Sequence, residues 1–474
     1  MLGRVFKAYD VRGTYPDLLT DTMGWQIGYG CATFLLGDAE AAGETTPMMK
    51  TVLVGRDMRA SSPTLSQKLI EGITTTDAAV IDLGLIDTSF MYFAINHLDC
   101  AGGVMVTASH NPPQYNGFKV SKRQAKPVGE ETGLAEVRKQ AAMVDKTLIG
   151  SPGSGKVEQR DLWDAYKEHV LSFLDLSALG KGKELRIVVD ASNGMAGTML
   201  PKVFGRYGQG VEGLSIKELN FDNTKNEFAH EPNPLVAANL AQLQEAVKSE
   251  GADLGVCFDG DADRCVIVDE KGQIIGCDHL TGLLAQYFLE QSPRAGVAYD
   301  LRSTKAVQEE VEKAGGKAHR GRVGHVFMKK TMAEERCVFG GELSGHFYFR
   351  DNYNADSGAI AMAVVLTVLA EKGKPMSELI APMGRYKQSG EINFEIEEKD
   401  EALASVRETF LGRGTIDDLD GVTVDCFETE GWWANIRKSN TEPLLRLNAE
   451  ARDADLLETA IAEISPLLGT RVAH

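Results

Sequence analysis

The sequence lacks the features that mark secreted or membrane-spanning proteins. It has only 7 cysteines in 474 residues, and none forms a Cys-x-x-Cys pair. An odd number at irregular spacing argues against a disulfide framework and a zinc knuckle, so we expect reduced, buried thiols. Residues 1–7 contain no apolar signal core, and the longest apolar run covers only residues 358–370. A membrane-spanning helix needs roughly 20 apolar residues, so we predict a buried helix here and a cytoplasmic protein without a membrane partner.

Positive charge is also scarce. The chain has 50 Lys and Arg against 68 Asp and Glu, which gives a formal net charge of −18. Nucleic-acid-binding surfaces need an excess of positive charge, so no nucleic-acid partner is expected. A phosphorylated substrate would instead need a local cluster of cations and backbone N–H groups.

Short β-rich runs alternate with helical stretches over most of the chain, which is typical of an α/β protein. Three units each begin with an apolar β-run and later contain a second one that ends in a polar loop. The first runs are 51–54, 187–189 and 296–299, and the second runs are 103–106, 254–258 and 337–339. This pattern predicts a threefold internal repeat with functional loops beyond the carboxyl ends of its strands.

The pattern changes from about residue 385, where several β-runs flank a helix predicted at 401–411. A last helix is predicted at 454–468, and the whole segment reads as a small α+β domain. The length also favours three or four domains. We therefore predict domains at 1–152, 153–273, 274–384 and 385–474.

The loop Asp259-Gly260-Asp261-Ala262-Asp263 places three carboxylates at alternate positions of one turn. So much negative charge is costly without a cation, and oxygen ligands favour magnesium or calcium. An EF-hand is an alternative, because Glu270 falls at its twelfth position. However, the sixth position holds Arg264 instead of Gly, and the flanks are β-like. A solvated acidic turn without metal also stays open.

The loop 107–113 presents the hydroxyl of Ser109, followed by His110 and a rigid Asn-Pro-Pro. Alone, Ser109 is more typical of a turn than of a nucleophile, and no Gly-x-Ser-x-Gly motif supports acyl transfer. The acidic loop stands at the equivalent place of the next unit, so a phosphorylated serine facing magnesium makes chemical sense. A phosphatase with an aspartyl-phosphate intermediate is a further hypothesis.

Two other segments have phosphate-binding character. Residues 437–443 can form an anion nest with an arginine and two hydroxyls, or simply a capped surface turn. Residues 150–157 spell most of a nucleotide P-loop, but Val157 stands where the magnesium-binding Ser or Thr is required. We therefore do not expect nucleotide binding there.

Together, the loops at 107–113, 259–263, 342–346 and 437–443 resemble those of the α-D-phosphohexomutase superfamily. The closest resemblance is to its phosphomannomutase and bifunctional phosphomannomutase/phosphoglucomutase branch. It covers the whole chain, starting at Tyr9-Asp10-Val11-Arg12-Gly13. It implies three similar α/β domains with mixed sheets and a smaller C-terminal α+β domain around a central cleft.

The resemblance also implies residue roles. Ser109 would be the phosphoserine, and its phosphate would hold Mg²⁺ together with Asp259, Asp261 and Asp263. The other catalytic positions would be Arg12, His110, Lys119 and Arg264, with Lys119 as the acid/base candidate. Substrate contacts would come from Tyr9, Arg302, His325, Lys329, Glu342, Ser344, His346, Arg437, Ser439, Asn440 and Thr441.

The implied activity interconverts hexose 6-phosphate and hexose 1-phosphate through a hexose 1,6-bisphosphate, which would also act as activator. Leu343 and the Ser-Asn-Thr-Glu-Pro segment at 439–443 favour mannose, with glucose as a second substrate. A phosphoglucosamine mutase is an alternative within the superfamily. A non-catalytic calcium or sugar-phosphate binding protein is an alternative from another class. Both a monomer and a homodimer stay open.

Overall fold

The computed structural model describes residues 2–179, 184–205, 210–439 and 444–472. The chain divides into two compact units. Unit 1 comprises Met1–Ile275 and Ser344–Ser377, and unit 2 comprises Gly276–Leu343 and Glu378–His474. The chain therefore passes twice from unit 1 to unit 2, while the four predicted domain boundaries stay a prediction.

The α-helices of the described residues are distributed along the whole chain. They are α1 (Asp21–Ala41), α2 (Ser62–Ile73), α3 (Thr88–Leu98), α4 (Leu134–Met143), α5 (Trp163–Leu171), α6 (Leu176–Leu179), α7 (Ala196–Val203), α8 (Ala241–Glu250), α9 (Cys277–Gln291), α10 (Lys305–Lys313), α11 (His325–Glu334), α12 (Gly358–Lys372), α13 (Met376–Ile380), α14 (Lys399–Thr409) and α15 (Ala454–Ile464).

The strands alternate with these helices up to α13 and dominate the rest of the chain. They are β1 (Val11–Thr14), β2 (Thr51–Arg56), β3 (Ala79–Leu85), β4 (Gly102–Val106), β5 (Tyr115–Lys122), β6 (Lys126–Pro127), β7 (Val157–Gln159), β8 (Leu185–Asp190), β9 (Leu214–Leu219), β10 (Leu254–Phe258), β11 (Cys265–Asp269), β12 (Gly296–Asp300), β13 (Lys317–Gly321), β14 (Cys337–Gly341), β15 (Phe347–Phe349), β16 (Ala355–Asp356), β17 (Lys387–Glu395), β18 (Thr415–Asp417), β19 (Val422–Cys426), β20 (Trp432–Lys438), β21 (Leu444–Ala451) and β22 (Thr470–Val472).

Three sheets share one strand arrangement. In unit 1, β2 lies parallel to both β3 and β4, and β8 lies parallel to both β9 and β10. In unit 2, β12 lies in the same way between β13 and β14. In each set of three parallel strands, the middle strand comes first in the chain. The shared order supports the predicted repeat, and the two sheets of unit 1 are mixed because β4 and β10 also pair with antiparallel strands.

The C-terminal part of unit 2 forms an antiparallel sheet in the order β18-β19-β20-β21-β17-β22. Its core includes residues of α14 and α15, so it is the expected α+β arrangement. Helix α15 ends at Ile464, before the predicted end at residue 468. The reason is Pro466, which cannot donate a helical hydrogen bond and restricts the residue before it.

The apolar run at 358–370 forms the buried helix that the sequence predicts. Ser357 caps the start of α12 by accepting a hydrogen bond from Ile360 N, and Gly373 ends the helix in the left-handed conformation. Every residue from Gly358 to Leu369 is buried. Within the described ranges, no helix combines the length and apolarity that crossing a membrane requires.

All seven cysteines are free and buried, as predicted. Burial raises the pKa of the Cys31 thiol to about 12, because the thiolate form would lose its hydration. The Cys31 thiol is therefore not poised for nucleophilic chemistry.

A buried carboxyl group begins helix α3. Asp87 Oδ1 accepts hydrogen bonds from Phe90 N and from Tyr166 Oη, each at 3.0 Å. Its Oδ2 atom is buried and has no hydrogen-bond partner among the described residues. Burial is the main reason why the pKa of Asp87 rises to about 7, although both hydrogen bonds oppose the shift.

This raised pKa predicts a specific pH dependence of stability. The folded protein retains a proton on Asp87 that the unfolded chain loses near pH 4, so the free energy of unfolding falls as pH rises toward about 7. Asp87→Asn removes the titration and should abolish about 2 kcal/mol of that loss between pH 5.5 and 7. Urea unfolding at both pH values measures it. Asp77→Asn, at an exposed position, should follow the wild type, and equal slopes for all three proteins would contradict the assignment.

Candidate active site

The three carboxylates of the acidic loop converge inside unit 1. The loop connects β10 to β11, which pair antiparallel up to Phe258 and Cys265. Asp259, Asp261 and Asp263 are at most 1% exposed, and each offers an oxygen within 4.8 Å of the others. The strand flanks exclude the helix–loop–helix of an EF-hand.

The donor set of this loop fits a hard divalent cation. Among the described residues, the buried Oδ1 atoms of Asp261 and Asp263 have no hydrogen-bond partner. Unpaired carboxylate oxygens in a buried turn are costly unless a cation neutralises them. A second group of possible ligand atoms, from Asp263, His346 and Asp356, also lies within 4.8 Å.

Lys119 on β5 bridges two of these carboxylates. Its Nζ donates to Asp261 Oδ2 at 2.8 Å and to Asp263 Oδ2 at 2.5 Å. Burial alone would lower the pKa of Lys119, but the two carboxylates outweigh it and raise that pKa above its ordinary value. The amine is therefore held in its protonated form.

The pKa values of two carboxylates of the same turn are shifted in opposite directions. Burial, together with Asp263 and Asp261, raises the pKa of Asp259 well above its ordinary value. Burial also acts to raise the pKa of Asp263, but Lys119, His346 and Arg264 hold it well below its ordinary value. The turn thus contains groups of very different proton affinity a few ångströms apart.

The hydroxyl of Ser109 meets this turn directly. Ser109 Oγ donates to Asp259 Oδ2 at 2.9 Å, and Ser109 N donates to Thr107 Oγ1 at 2.9 Å. Ser109 is 2% exposed and has a φ of +50°, which is uncommon for a residue with a Cβ. The serine loop and the acidic loop, 150 residues apart in sequence, therefore form one site.

His110 lies beside the serine, with its Nδ1 atom 3.3 Å from Ser109 Oγ. Burial lowers the pKa of His110 well below its ordinary value, and the nearby cations Arg264, Arg12 and Lys119 lower it further. The imidazole is consequently neutral near pH 7.

The same unit places Arg12, Arg264 and His346 around these loops. Arg12 Nη1 donates to Asn111 Oδ1 at 2.5 Å, which ties β1 to the serine loop. Arg264 Nε lies 3.2 Å from His346 Nε2 and 3.7 Å from Asp259 Oδ2. His346 Nε2 is 3.5 Å from Asp263 Oδ1.

The remaining predicted contact residues of unit 1 are Ser344 and Tyr9. His346 Nδ1 is 2.9 Å from Ser344 Oγ, so the second half of the loop 342–346 is tied to the acidic turn through the histidine. Tyr9 is half-buried in the segment before β1.

Unit 2 contains a separate polar cluster built on β12, β14 and β20. Arg302 pairs with Asp300, with Nη2 2.7 Å from Oδ2, and Glu342 Oε1 accepts from Gly324 N at 2.8 Å. Arg437 is 9% exposed, and its Nη2 lies 3.1 Å from Glu391 Oε2.

The crowding of positive charge around Arg437 favours the binding of an anion in this cluster. Burial and the nearby Arg302 lower the pKa of Arg437, and its Nε has no hydrogen-bond partner in the described part of the chain. Burial also acts to lower the pKa of Arg302, but Asp300 and Glu342 raise it above its ordinary value. The crowding therefore acts on Arg437, where a negatively charged ligand would relieve it.

The remaining predicted contacts of unit 2 lie on the same elements or outside the described residues. His325 begins α11, Lys329 is buried one turn later, and Ser439 is buried directly after β20. Asn440 and Thr441 fall outside the described residues.

Comparison with known families agrees with this architecture. Four models of phosphoglucomutase/phosphomannomutase domains match the chain in order: alpha/beta/alpha domain I at residues 3–147, domain II at 164–272, domain III at 277–386 and the C-terminal domain at 391–467. The chain belongs to the phosphoglucomutase/phosphomannomutase family.

Full-length relatives support the assignment. A protein of Xanthomonas campestris pv. campestris (strain B100), named "Phosphohexose mutases", is 40% identical over 473 residues, with 98% of both chains covered. The "Phosphomannomutase" of Escherichia coli (strain K12) is 35% identical over 469 residues, again with 98% of both chains covered. A crystal structure of a phosphoglucomutase/phosphomannomutase family protein from Burkholderia thailandensis is similar with a TM-score of 0.84 and 28% identity, over 98% of each chain.

Two further positions of this family member escape prediction from sequence. Thr88 Oγ1 donates to Asp261 Oδ2 at 2.7 Å, and Thr107 Oγ1 lies 3.3 Å from the same oxygen. Thr107 stands in the serine loop and could have been found by its place there. Thr88 is 173 residues from its partner and belongs to no motif, so nothing in the sequence indicates it.

The P-loop-like segment does not have a phosphate-binding shape. Gly155 N donates to Thr74 O at 3.0 Å, and Val80 N donates to Lys156 O at 2.8 Å. A Cβ on Gly153 would lie 2.2 Å from the backbone of Thr74. The glycines therefore let the chain pass close to the turn after α2.

Gly260 permits the contact between the two loops. A Cβ on Gly260 would lie 2.5 Å from Ser109 O, a distance that only glycine avoids. Gly260→Ala should push the loops apart, destabilise the protein by about 1–3 kcal/mol and impair activity. Thermal unfolding and an activity assay check it. Gly37→Ala, at an exposed helical position with nothing within 4 Å, is the matched control and should be neutral or slightly stabilising. A fully stable and active Gly260→Ala protein would contradict the role.

Proposed function

We propose that this protein is a phosphohexomutase, an isomerase that interconverts hexose 6-phosphate and hexose 1-phosphate. The observation that carries the proposal is the 2.9 Å contact between Ser109 Oγ and Asp259 inside a buried turn of three carboxylates. A serine at this position that carries a phosphoryl group can share a divalent cation with the three carboxylates. The names of the relatives support the same reaction.

We assign the metal site to Asp259, Asp261 and Asp263 together with the phosphate of Ser109. Carboxylate and phosphate oxygens are the ligands that Mg²⁺ prefers, and the unpartnered Oδ1 atoms of Asp261 and Asp263 suit it. When bound, Mg²⁺ supplies neutralisation of the phosphoryl charge. Calcium binds similar oxygen ligands, so measurements of turnover and of calcium binding must distinguish the two metals.

The reaction uses Ser109 as the phosphoryl carrier. The free hydroxyl of a hexose monophosphate attacks the phosphorus and gives up its proton. A new O–P bond forms on the sugar as the bond to Ser109 Oγ breaks, and the released serine oxygen gains a proton. The hexose 1,6-bisphosphate then returns its other phosphoryl group to Ser109. A hexose 1,6-bisphosphate also phosphorylates enzyme that has lost its phosphate, which explains the expected activator.

Two groups can move protons near Ser109. Lys119 is kept protonated by Asp261 and Asp263, which suits a general acid in this state of the site. The neutral imidazole of His110, 3.3 Å from Ser109 Oγ, can accept or return a proton there. Arg12 and Arg264 would hold the serine loop and the phosphoryl oxygens.

The resemblance to the family is the basis for the proposed substrate contacts. Glu342, Ser344 and His346 would bind sugar hydroxyls. The non-transferring phosphate would be bound by cations and hydroxyls of unit 2, and the crowding of Arg302 and Arg437 supports this. The full set for that phosphate and its surroundings is Arg302, His325, Lys329, Arg437, Ser439, Asn440 and Thr441, with Tyr9 as a further contact.

We further propose mannose phosphate as the preferred substrate, glucose phosphate as a second one, and a cytoplasmic location. Relatives named phosphomannomutase and the Leu343 position support mannose. Mannose and glucose differ only at C2, so one pocket can accept both with a modest preference.

Removal of the serine hydroxyl tests the mechanism. Ser109→Ala should lower kcat for mannose 1-phosphate isomerisation by at least about 1,000-fold, because no phosphoryl carrier is left. Purified wild type should carry phosphate on Ser109 by mass spectrometry, and chelation of Mg²⁺ should abolish turnover. Ser66→Ala, a buried serine on α2, is the matched control and should stay active.

The same assay separates the alternatives. An active Ser109→Ala enzyme would end the phosphoserine mechanism. Release of free phosphate faster than isomerisation would indicate a phosphatase. Calcium and mannose 6-phosphate binding by calorimetry without any turnover would indicate a sensor.

Substrate preference is tested by kcat/KM for mannose, glucose and glucosamine 1-phosphates with Mg²⁺ and a bisphosphate primer. We expect mannose and glucose within roughly 10-fold of each other and glucosamine clearly below both, since its C2 amine is charged and faces a pocket selected for a hydroxyl. A preference for glucosamine 1-phosphate would overturn the substrate assignment and leave the reaction class intact.

A further inference from the structure

A buried arginine outside the predicted site holds the serine loop from behind. Arg59, in the loop after β2, is 1% exposed. Its Nη2 donates to Ser109 O and to Asn111 O, both at 2.7 Å. Its Nη1 donates to Pro112 O at 2.7 Å and to Tyr115 O at 3.1 Å. One guanidinium therefore binds four carbonyl oxygens of the segment that carries the serine.

Arg59 is itself fixed on every side. Its Nε donates to Asp57 Oδ2 and its backbone N donates to Asp57 Oδ1, both at 3.0 Å. The guanidinium carbon lies 4.9 Å from the centre of the Phe228 ring, in a cation–π contact. All five donors of the side chain are used, and a lysine ammonium cannot reproduce this planar fork.

The serine loop needs such support. Ser109 has a φ of +50°, and its carbonyl oxygen approaches the acidic turn closely enough to require glycine at residue 260. The left-handed conformation is unfavourable for a residue with a Cβ. Without Arg59, the carbonyl group of Ser109 would also lose the partner that fixes its direction.

The second repeat uses a related device. At the end of β8, Asp190 Oδ1 accepts from Ser192 N at 2.8 Å, as Asp57 does from the residue two positions later. Ser192 Oγ then donates to Phe258 O at 2.9 Å. Phe258 is the last residue of β10 and directly precedes the acidic loop. In this repeat too, the end of the first strand, β8, holds the strand that carries the polar loop.

The third repeat, in unit 2, follows the same plan. At the end of β12, Asp300 Oδ1 accepts from Arg302 N at 2.8 Å. Asp300 Oδ2 accepts from Leu343 N at 2.7 Å, in the middle of the loop 342–346. In all three repeats, an aspartate at the end of the first strand accepts from the backbone N two residues later. A side chain of this turn then contacts the polar loop or the end of the strand that carries it.

We propose that Arg59, oriented by Asp57, is a positioning residue for phosphoryl transfer: it fixes the carbonyl of Ser109 and thereby aims the serine oxygen at the metal-binding turn. This inference rests on the proposed function for its kinetic consequence. Arg59 acts through the loop backbone, and its side chain is turned away from solvent by burial.

The kinetic experiment compares Arg59→Lys and Arg59→Gln with the wild type. Both variants should lose about 100-fold in kcat, since misplacing a reacting group by about an ångström costs that much, while KM changes less than about threefold. Arg138→Lys, at a partly exposed arginine paired with Glu130, is the matched control and should match the wild type. Thermal unfolding ensures that every protein is folded at the assay temperature.

Backbone amide hydrogen exchange gives a second readout that does not depend on activity. In folded Arg59→Lys, peptides covering 107–115 should exchange faster than in the wild type, while those covering β8 and β10 keep their protection. A folded Arg59→Lys protein with wild-type exchange in this segment would overturn the proposal. So would a kcat within threefold of the wild type, or a lowered unfolding temperature with unchanged kcat. If the wild type itself fails to isomerise hexose phosphates, the proposed function fails, and the exchange result still decides whether Arg59 holds the loop.

Discussion

The structure depends on how neighbouring groups compensate the negative charge of the acidic turn at residues 259–263. Three buried carboxylates lie within 4.8 Å of each other, and their mutual repulsion in a water-poor environment must be offset by neighbours. Lys119 and Arg264 provide positive charge, and Ser109 donates a hydrogen bond. Burial and the other two carboxylates raise the pKa of Asp259. Burial acts in the same direction on Asp263, but Lys119 and His346 outweigh it and lower the pKa of Asp263. The serine loop packs against the same turn, so its backbone conformation depends on this balance of charge.

Much of this arrangement can be predicted from the sequence, because it depends on local patterns. Short apolar runs followed by polar loops indicate strands with functional groups at their carboxyl ends, and alternate Asp residues in 259–263 indicate a cation site. The structure confirms the α/β repeats, the α+β C-terminal part and the buried helix at α12. The meeting of Ser109 with Asp259 was predictable only by combining two loops of successive repeats with a chemical argument.

The rest depends on contacts between residues far apart in sequence. Thr88, Asp87 and Arg59 belong to no motif, and each acquires its role from a partner that the fold brings near. Lys119 was expected only through a resemblance, since a lysine in a Gly-Phe-Lys turn is usually solvated. Its bridge between Asp261 and Asp263 exists because β5 lies beside β4, which carries the serine loop at its end. Pro466 shows the converse case, in which a local signal shortens α15.

The support for each polar loop comes from within its own repeat. In each sheet, residues at the end of the middle strand bind the strand that carries the polar loop, or the loop itself. Arg59, held by Asp57, binds the loop after β4. Ser192, held by Asp190, binds the end of β10, and Asp300 binds the loop after β14. A loop whose backbone course is secured in this way can exchange its side chains without disturbing the frame of its neighbours. Loops that share this support at their strand ends can therefore present different side chains, as the serine loop, the acidic loop and the loop 342–346 do.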